Sequence, residues 1–299
     1  MSNYDTFWND SNSDGLRLIL DFVKDIVGQS KKAEEDEAAQ KKPKNKTTDG
    51  TFDVITALGL NPEDYDYSDA NADGVVAWIG DRDEVIVVTK NAYDKNNHMP
   101  ELIYKQGQAY DNFKGTCGLC STANAVRILR MGNPTEADAV DFASENGYCE
   151  AKNNDDPDQK YLNGGTTSED RIKVAEHFGL YAEASSEMDP YMWLTLLIAG
   201  GAVTFTVYAD YLSRDVPEKM GRKVTSNHCI TLLGLRCVLG EREDDIRIKE
   251  VIVLDTGGWI NNKYGVGSIP IEKFERMQKV TQYASFNFNI SPDILNELM

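Results

Sequence analysis

Two apolar runs joined by a charged turn constrain this chain more than any other feature. Cys229 to Val238 and Lys249 to Leu254 are rich in β-branched and large aliphatic residues, and Gly240-Glu241-Arg242-Glu243-Asp244-Asp245 lies between them. Arms of similar length flanking a polar turn form an antiparallel hairpin, in which the start of one strand lies beside the end of the other. At that open end stand His228, just before the first arm, and Asp255, just after the second. Topology alone therefore predicts an imidazole beside a carboxylate.

Around the hairpin, further strands are predicted over 202–208 and 281–290. In the latter, Tyr283, Ser285, Asn287 and Asn289 alternate with Ala284, Phe286, Phe288 and Ile290. The preceding region carries helical patterns over 119–131, 135–146 and 168–178, and a fourth apolar stretch from Tyr191 to Ala199 ends at Gly200-Gly201. Helices first and antiparallel strands second make an α+β class rather than βαβ repeats. Residues 106–299 are read as the main domain. Residues 51–105 form a small accessory segment with a hairpin pairing Val75–Ile79 and Glu84–Thr89. Residues 1–28 hold an amphipathic helix over Gly15 to Val27, and 29–50 read as a disordered linker, since blocks of Lys and Glu there replace large apolar residues.

With 299 residues the chain can bury a sizeable core, and its formal charge of −18 opposes a broad nucleic-acid surface. No apolar run reaches the roughly 20 residues of a membrane-spanning helix. The first residues, Met1-Ser2-Asn3-Tyr4-Asp5, lack the basic and apolar regions of a secretory signal, which predicts cytoplasmic synthesis, with any export by a non-classical route. Asp69-Ala70-Asn71-Ala72-Asp73-Gly74 matches the first half of a calcium loop. The twelfth position is Gly80 instead of an acidic ligand, so a turn feeding a strand is expected. No cofactor or metal is expected.

Five cysteines make an odd number at spacings unlike a disulfide framework, which suits a reducing site of synthesis and a working thiol. Cys117 follows Thr116, a candidate N-cap, at the start of a helical pattern. A helix start stabilises a thiolate and leaves backbone N–H groups free for an oxyanion. Of the three histidines, His98 lies in a polar loop and His177 near a helix C-terminus. His228, oriented by Asp255, is the base expected beside Cys117. Cys117-Gly118-Leu119-Cys120 resembles the plant-type papain motif, which would make Cys120 the nucleophile, but the aromatic that follows there is missing and Cys120 is expected as a buried helix residue; zinc held by Cys117, Cys120, His228 and Cys229 is a further alternative. Adjacent ligands without a second spaced pair fit tetrahedral zinc poorly.

Thr116-Cys117-Gly118-Leu119, Ser121, Ala123-Asn124-Ala125, Gly165-Thr166-Thr167, Phe178-Gly179-Leu180, His228 through Gly234 and Asp255-Thr256-Gly257 keep the motif order of papain-fold cysteine peptidases. Over residues 106–279 the chain resembles the bacteriocin-processing, double-glycine-leader branch and the papain-fold toxin domains of bacterial polymorphic toxins. The resemblance implies a papain-like fold with Cys117, His228 and Asp255 as catalytic triad and a protein or peptide substrate. It also implies a glutamine donating to the oxyanion six residues before the nucleophile. Asp111 stands there, so the role passes to Gln108, with Asn112 as second choice. The implied activity is peptide hydrolysis through a thioester, in a processing peptidase or a toxin-like effector. Deamidation or transglutamination by the same triad is an alternative, as is a catalytically silent protein-binding module. The N-terminal segment is a candidate for docking or autoinhibition. Trp259 is a candidate shield for the His–Asp pair, and the charged stretch from Ser213 to Val224 a candidate overhang of the cleft. Gly164-Gly165 reads as a turn, with self-processing at the double glycine as the sharper alternative.

Overall fold

The computed structural model describes residues 54–61, 65–69, 76–80, 84–89, 99–111, 113–150, 163–187, 189–218, 221–239 and 246–293, without side chains for 65–69, 76–80 and 239. The expected N-terminal helix, the linker, His98, Asn112 and residues 70–74 of the calcium-like loop lie outside the described residues.

Strand β7 (His228–Leu239) organises the sheet. Along one edge it pairs antiparallel with β8 (Ile246–Leu254), from Thr231 opposite Leu254 to Leu239 opposite Ile246, with register shifts after Leu232 and Arg236. Its other edge is shared. β5 (Ala202–Val207) covers the N-terminal part, with Val207 opposite His228, and β3 (Glu84–Val88) covers the C-terminal part, with Val88 opposite Gly234. The two meet end to end, where the buried Thr89 hydroxyl donates to the Gly201 carbonyl at 3.0 Å. Beyond β3 lie β2 (Val76–Gly80) and β1 (Tyr65–Asp69); beyond β5 lie β11 (Ser285–Ile290) and β4 (Tyr181–Ser185). β9 (Val266–Pro270) pairs β8. All pairings in this nine-stranded sheet are antiparallel, so the α+β class holds, and β2 and β3, the two arms of the predicted accessory hairpin, are part of the same sheet as His228. A separate two-residue parallel pair joins β6 (Val224–Thr225) to β10 (Thr281–Gln282).

The centre of the sheet, around β7 and β5, is buried on both faces. Ile230, Leu232, Val251, Val253, Phe205 and Phe286 share a core with α5 (Pro190–Ile198), the short α6 (Asp210–Ser213) and α7 (Ile271–Val280). Trp193, Phe205 and Phe274 meet there edge to face. Leu233, Ile252 and Leu254 turn the other way, toward α2 (Cys117–Ile128) and the short α1 (Val54–Ala57). α3 (Glu136–Asn146) and α4 (Ser168–His177) complete that layer. Both begin with a reciprocal capping box, Thr135 with Asp138 and Thr167 with Asp170, each side chain receiving the other's end of the helix.

The predicted run over 281–290 is broken. Tyr283, at φ +61°, divides β10 from β11, and the polar set of β11 is not solvent-facing. Asn287 and Asn289 are buried, donating to the Ser168 and Ala202 carbonyls at 3.0 and 3.2 Å. Helix α4 covers the face that alternation had assigned to water. Among the described residues no helix is long and apolar enough to cross a membrane.

Candidate active site

His228 opens β7 and Asp255 follows β8 directly. Continuing the register of Thr231 with Leu254 puts Asp255 across from Ile230, two positions along the same face from His228. Diagonal neighbours on one face lie within reach of long side chains. The buried imidazole Nε2 is 2.7 Å from Asp255 Oδ1. Asp255, fully buried, accepts two further bonds, from Gly257 N to Oδ1 at 2.7 Å and from Ile260 N to Oδ2 at 2.8 Å. Burial opposes its ionisation, but the His228 bond and charge and the two amides outweigh it and hold the carboxyl below its usual range.

Trp259 closes over this pair, its ring centroid 4.8 Å from that of His228. Gly257 makes the closure possible: a Cβ there would stand 2.1 Å from the Trp259 ring and 2.8 Å from His228 Cε1.

Cys117 is the first residue of α2, and the helix is tied to the histidine strand by Ser121, whose hydroxyl donates to the Cys229 carbonyl at 3.2 Å. With Nε2 committed to Asp255, Nδ1 is the imidazole nitrogen left for the thiol. Burial of Cys117 works against ionisation; the His228 bond and charge, the Cys229 backbone and the Arg171 charge outweigh it, so the thiol's pKa is lowered. His228 is pushed the other way. Burial disfavours its charge, but bonds to Asp255 and Cys117 raise its pKa to about 9. Lowered thiol and raised imidazole favour a thiolate–imidazolium pair near neutral pH. Cys120, one turn on, is unlike its neighbour: burial, and next the Glu136 charge, raise its pKa well above the usual thiol range.

Thr116 occupies the N-cap position but does not cap α2 with its side chain. Its hydroxyl instead donates to Glu136 Oε1 in a short bond and accepts from Gly107 N at 3.1 Å. The first amides of α2 are therefore left without a side-chain cap, at the place where an oxyanion beside Cys117 would need donors. Glu136, itself buried, gathers the loop before Cys117: Gly107, Gln108 and Ala109 N–H groups converge on its carboxylate at 2.5, 2.8 and 3.1 Å. The Gln108 side chain is exposed, its amide donating to the Gln106 carbonyl at 3.3 Å. Gln106 reaches the site loop directly: Gln106 N donates to the Thr256 carbonyl at 3.0 Å, and Thr256 Oγ1 donates to Gln106 Oε1 at 2.9 Å.

Sequence reasoning missed Glu136 and Gln106, and it missed Arg171. Arg171 is 3% exposed, yet all its contacts are neutral acceptors: Asn287 Oδ1 at 3.1 Å, the Thr166 carbonyl at 3.3 Å, Ser168 Oγ and Thr206 Oγ1 each at 2.8 Å. No carboxylate among the described residues pairs with it. The Cys-Gly pair explains itself at the same spot. A Cβ on Gly118 would stand 2.0 Å from Thr166 Oγ1 and 3.2 Å from Arg171 Cδ, so only glycine lets the helix that carries Cys117 approach. The one available signal for Arg171 was a charge within the stripe of α4 that carries Ile172 and Ala175. The Asn163–Gly164 turn is pinned beside Cys117 by Gly164 N donating to the Lys114 carbonyl at 2.8 Å. His177 stacks on Phe142 at a 3.6 Å centroid separation.

No protein-family model and no curated protein matches the chain. Among solved structures it is similar to a double glycine motif protease from an AMS/PCAT transporter, crystallised with the leader peptide. That match has 14% identity, spans 64% of this chain and 92% of the other, and has a TM-score of 0.31. An overlap that loose carries no function across.

Proposed function

We propose that this chain is a papain-like cysteine peptidase that hydrolyses peptide bonds through a thioester on Cys117, with His228 as base and acid and Asp255 as orienter. One observation carries the reading: a thiol of lowered pKa at a helix start, against an imidazole whose other nitrogen is 2.7 Å from a buried carboxylate. The Cys117 thiolate attacks the scissile carbonyl carbon, and the carbonyl π pair moves to oxygen, which the uncapped amides of α2 receive. The His228 imidazolium gives its Nδ1 proton to the leaving nitrogen as the C–N bond breaks. Water then gives a proton to His228, its oxygen attacks the thioester, and the C–S bond breaks to restore the thiolate. Gln108 is a weaker candidate for the oxyanion, because its amide faces its own loop. The substrate is a protein or peptide, in leader processing or as the target of a secreted effector.

The test is incubation of the intact chain with a diverse peptide library, read by mass spectrometry. Cleaved termini that vanish in both Cys117→Ala and His228→Ala are expected. A mass gain of one unit at Gln or Asn would establish deamidation instead, and a biological effect surviving Cys117→Ala would overturn the enzyme reading.

A further inference from the structure

Peptide hydrolysis employs one thiol of Cys117-Gly118-Leu119-Cys120 and leaves the other unexplained. Both are thiols rather than disulfide-bonded, and they stand three residues apart in the first turn of α2. Side chains at that spacing share a helix face. Helix geometry puts their Cα atoms about 5 Å apart, inside the roughly 4.4–6.8 Å that a disulfide spans. Their Cβ atoms, roughly 5–6 Å apart in a regular helix, need to close by about 1–2 Å. This turn is the one able to give. It carries no side-chain cap, and helix ends commonly tighten to the 3₁₀ form, in which side chains three apart eclipse.

The two thiols differ as a redox pair requires. Cys117 keeps some exposure and a lowered pKa, so a small oxidant meets it as thiolate. Cys120 is fully buried; burial above all, then the Glu136 charge, and further down the Cys117 charge, keep it protonated. Oxidation of Cys117 removes the last of these. A buried thiol also needs an acceptor for its proton before it can attack, and one is built beside it. Cys120 Sγ donates to Thr116 Oγ1 at 3.9 Å, and Thr116 Oγ1 donates to the buried Glu136 carboxylate in a short bond. The hydrolysis steps do not use this relay.

We propose that hydrogen peroxide drives Cys117 and Cys120 into a reversible disulfide, with Cys120 as the resolving thiol and Glu136, through Thr116, as its base. The Cys117 thiolate attacks one peroxide oxygen and the O–O bond breaks, giving a sulfenic acid; the departing hydroxide takes the His228 Nδ1 proton and leaves as water. Cys120 then passes its proton through Thr116 to Glu136, and its sulfur attacks that of Cys117. The S–O bond breaks, and hydroxide leaves as water with the proton that Cys120 gave up. Two electrons have passed from the sulfurs to the peroxide, and a dithiol returns them. That the disulfide switches an enzyme off rests on the peptide-hydrolysis reading; its formation does not.

The test treats the reduced full-length chain with a slight excess of hydrogen peroxide near neutral pH, followed by a maleimide quench and trypsin. Cleavage after Lys114 and Arg127 puts both thiols, and no others, in the peptide from Gly115 to Arg127. Mass spectrometry should find that peptide two hydrogens lighter and free of maleimide. Dithiothreitol should restore it, together with the reactivity of Cys117 toward iodoacetamide. In Cys120→Ser, dimedone should trap the sulfenic acid at Cys117, and further peroxide should carry it to a sulfinic acid that dithiothreitol does not restore. Thr116→Val should slow closure at least roughly tenfold, and an unchanged rate there takes the base role from Glu136. The parent peptide decides the link even if neither variant folds. A sulfenic or sulfinic Cys117 persisting in the parent, or a link to Cys229 instead, overturns the proposal. A disulfide beside a silent peptide library sinks hydrolysis alone, and cleavage without the disulfide sinks the redox pair alone.

Discussion

Asp255→Asn is the substitution that separates a true orienting carboxylate from a buried spacer. Three donors converge on Asp255: His228 Nε2 and Gly257 N on Oδ1, and Ile260 N on Oδ2. An asparagine has one oxygen to offer. With it at the Oδ1 place, the NH₂ group faces the Ile260 N–H; flipped, it faces the Gly257 N–H and the imidazole. Either way at least one buried donor is orphaned, at roughly 1–3 kcal/mol, and a charge-assisted bond worth roughly 1.5–3 kcal/mol is lost. A net destabilisation of about 2.5–6 kcal/mol follows, a large share of the roughly 5–15 kcal/mol that holds a domain together. The chemical effect has a definite sign. His228 owes its pKa of about 9 in the first place to the Asp255 bond, so the variant's imidazole loses its proton at lower pH, and the thiol loses the charge that lowers its own pKa. Urea unfolding measures the first effect, and the pH profile of iodoacetamide alkylation at Cys117, read by peptide mass, measures the second. The alkylation midpoint should rise while the stability falls. A profile that does not move, with stability within about 0.5 kcal/mol of the parent, would refute the orienting role.

Gly118→Ala should destabilise by about 1–2 kcal/mol, the overpacking against Thr166 and Arg171 exceeding alanine's helical advantage; the double variant with Thr166→Ala should recover most of it in thermal unfolding. Arg171→Met should slow alkylation of Cys117 at pH 7 on the order of tenfold by removing a cation that favours the thiolate, with Arg171→Lys partly restoring it. Stability should follow pH with two limbs. The raised pKa of His228 contributes fully below its unfolded value of 6.5 and is lost as pH rises through about 9, whereas the lowered pKa of Asp255 contributes fully above the ordinary carboxyl range and is lost as pH falls below that range through the lowered folded value. Denaturant midpoints measured across pH should show both limbs, and His228→Gln should flatten the alkaline one.

What the sequence disclosed depended on how local the deciding physics was. Helices α3 and α4 were legible because their Thr-x-x-Asp starts encode both ends of a capping box. The pairing of His228 with Asp255 was legible because a hairpin brings its ends together whatever else surrounds it. Helix α7 was missed: its N-cap is Pro270, without a side-chain cap, and Glu272, Lys273, Glu275 and Arg276 dilute the stripe of Ile271, Phe274 and Met277. Strand β11 misled because alternation identifies two faces but not what covers each. Buried charges were the least legible. Pattern reading sends Arg171 and Glu136 to the surface, whereas tertiary contacts from residues far along the chain, such as Asn287 and Gly107, hold them inside. The path of the loop that carries Gln108 was illegible for the same reason, since Glu136 sets it.

The end-to-end arrangement of β3 and β5 along β7 bears on what a cut in the chain would do. A nick between Val88 and Gln106 would sever the backbone without parting the pieces, because β3 remains zipped to β7 from Glu84 opposite Val238 to Val88 opposite Gly234. Releasing the N-terminal portion would require peeling that strand away and baring a β edge, the kind of surface that recruits other chains. A nicked molecule would therefore persist as a two-piece protein, and the portion ahead of the cut would be retained as a non-covalent subunit rather than shed.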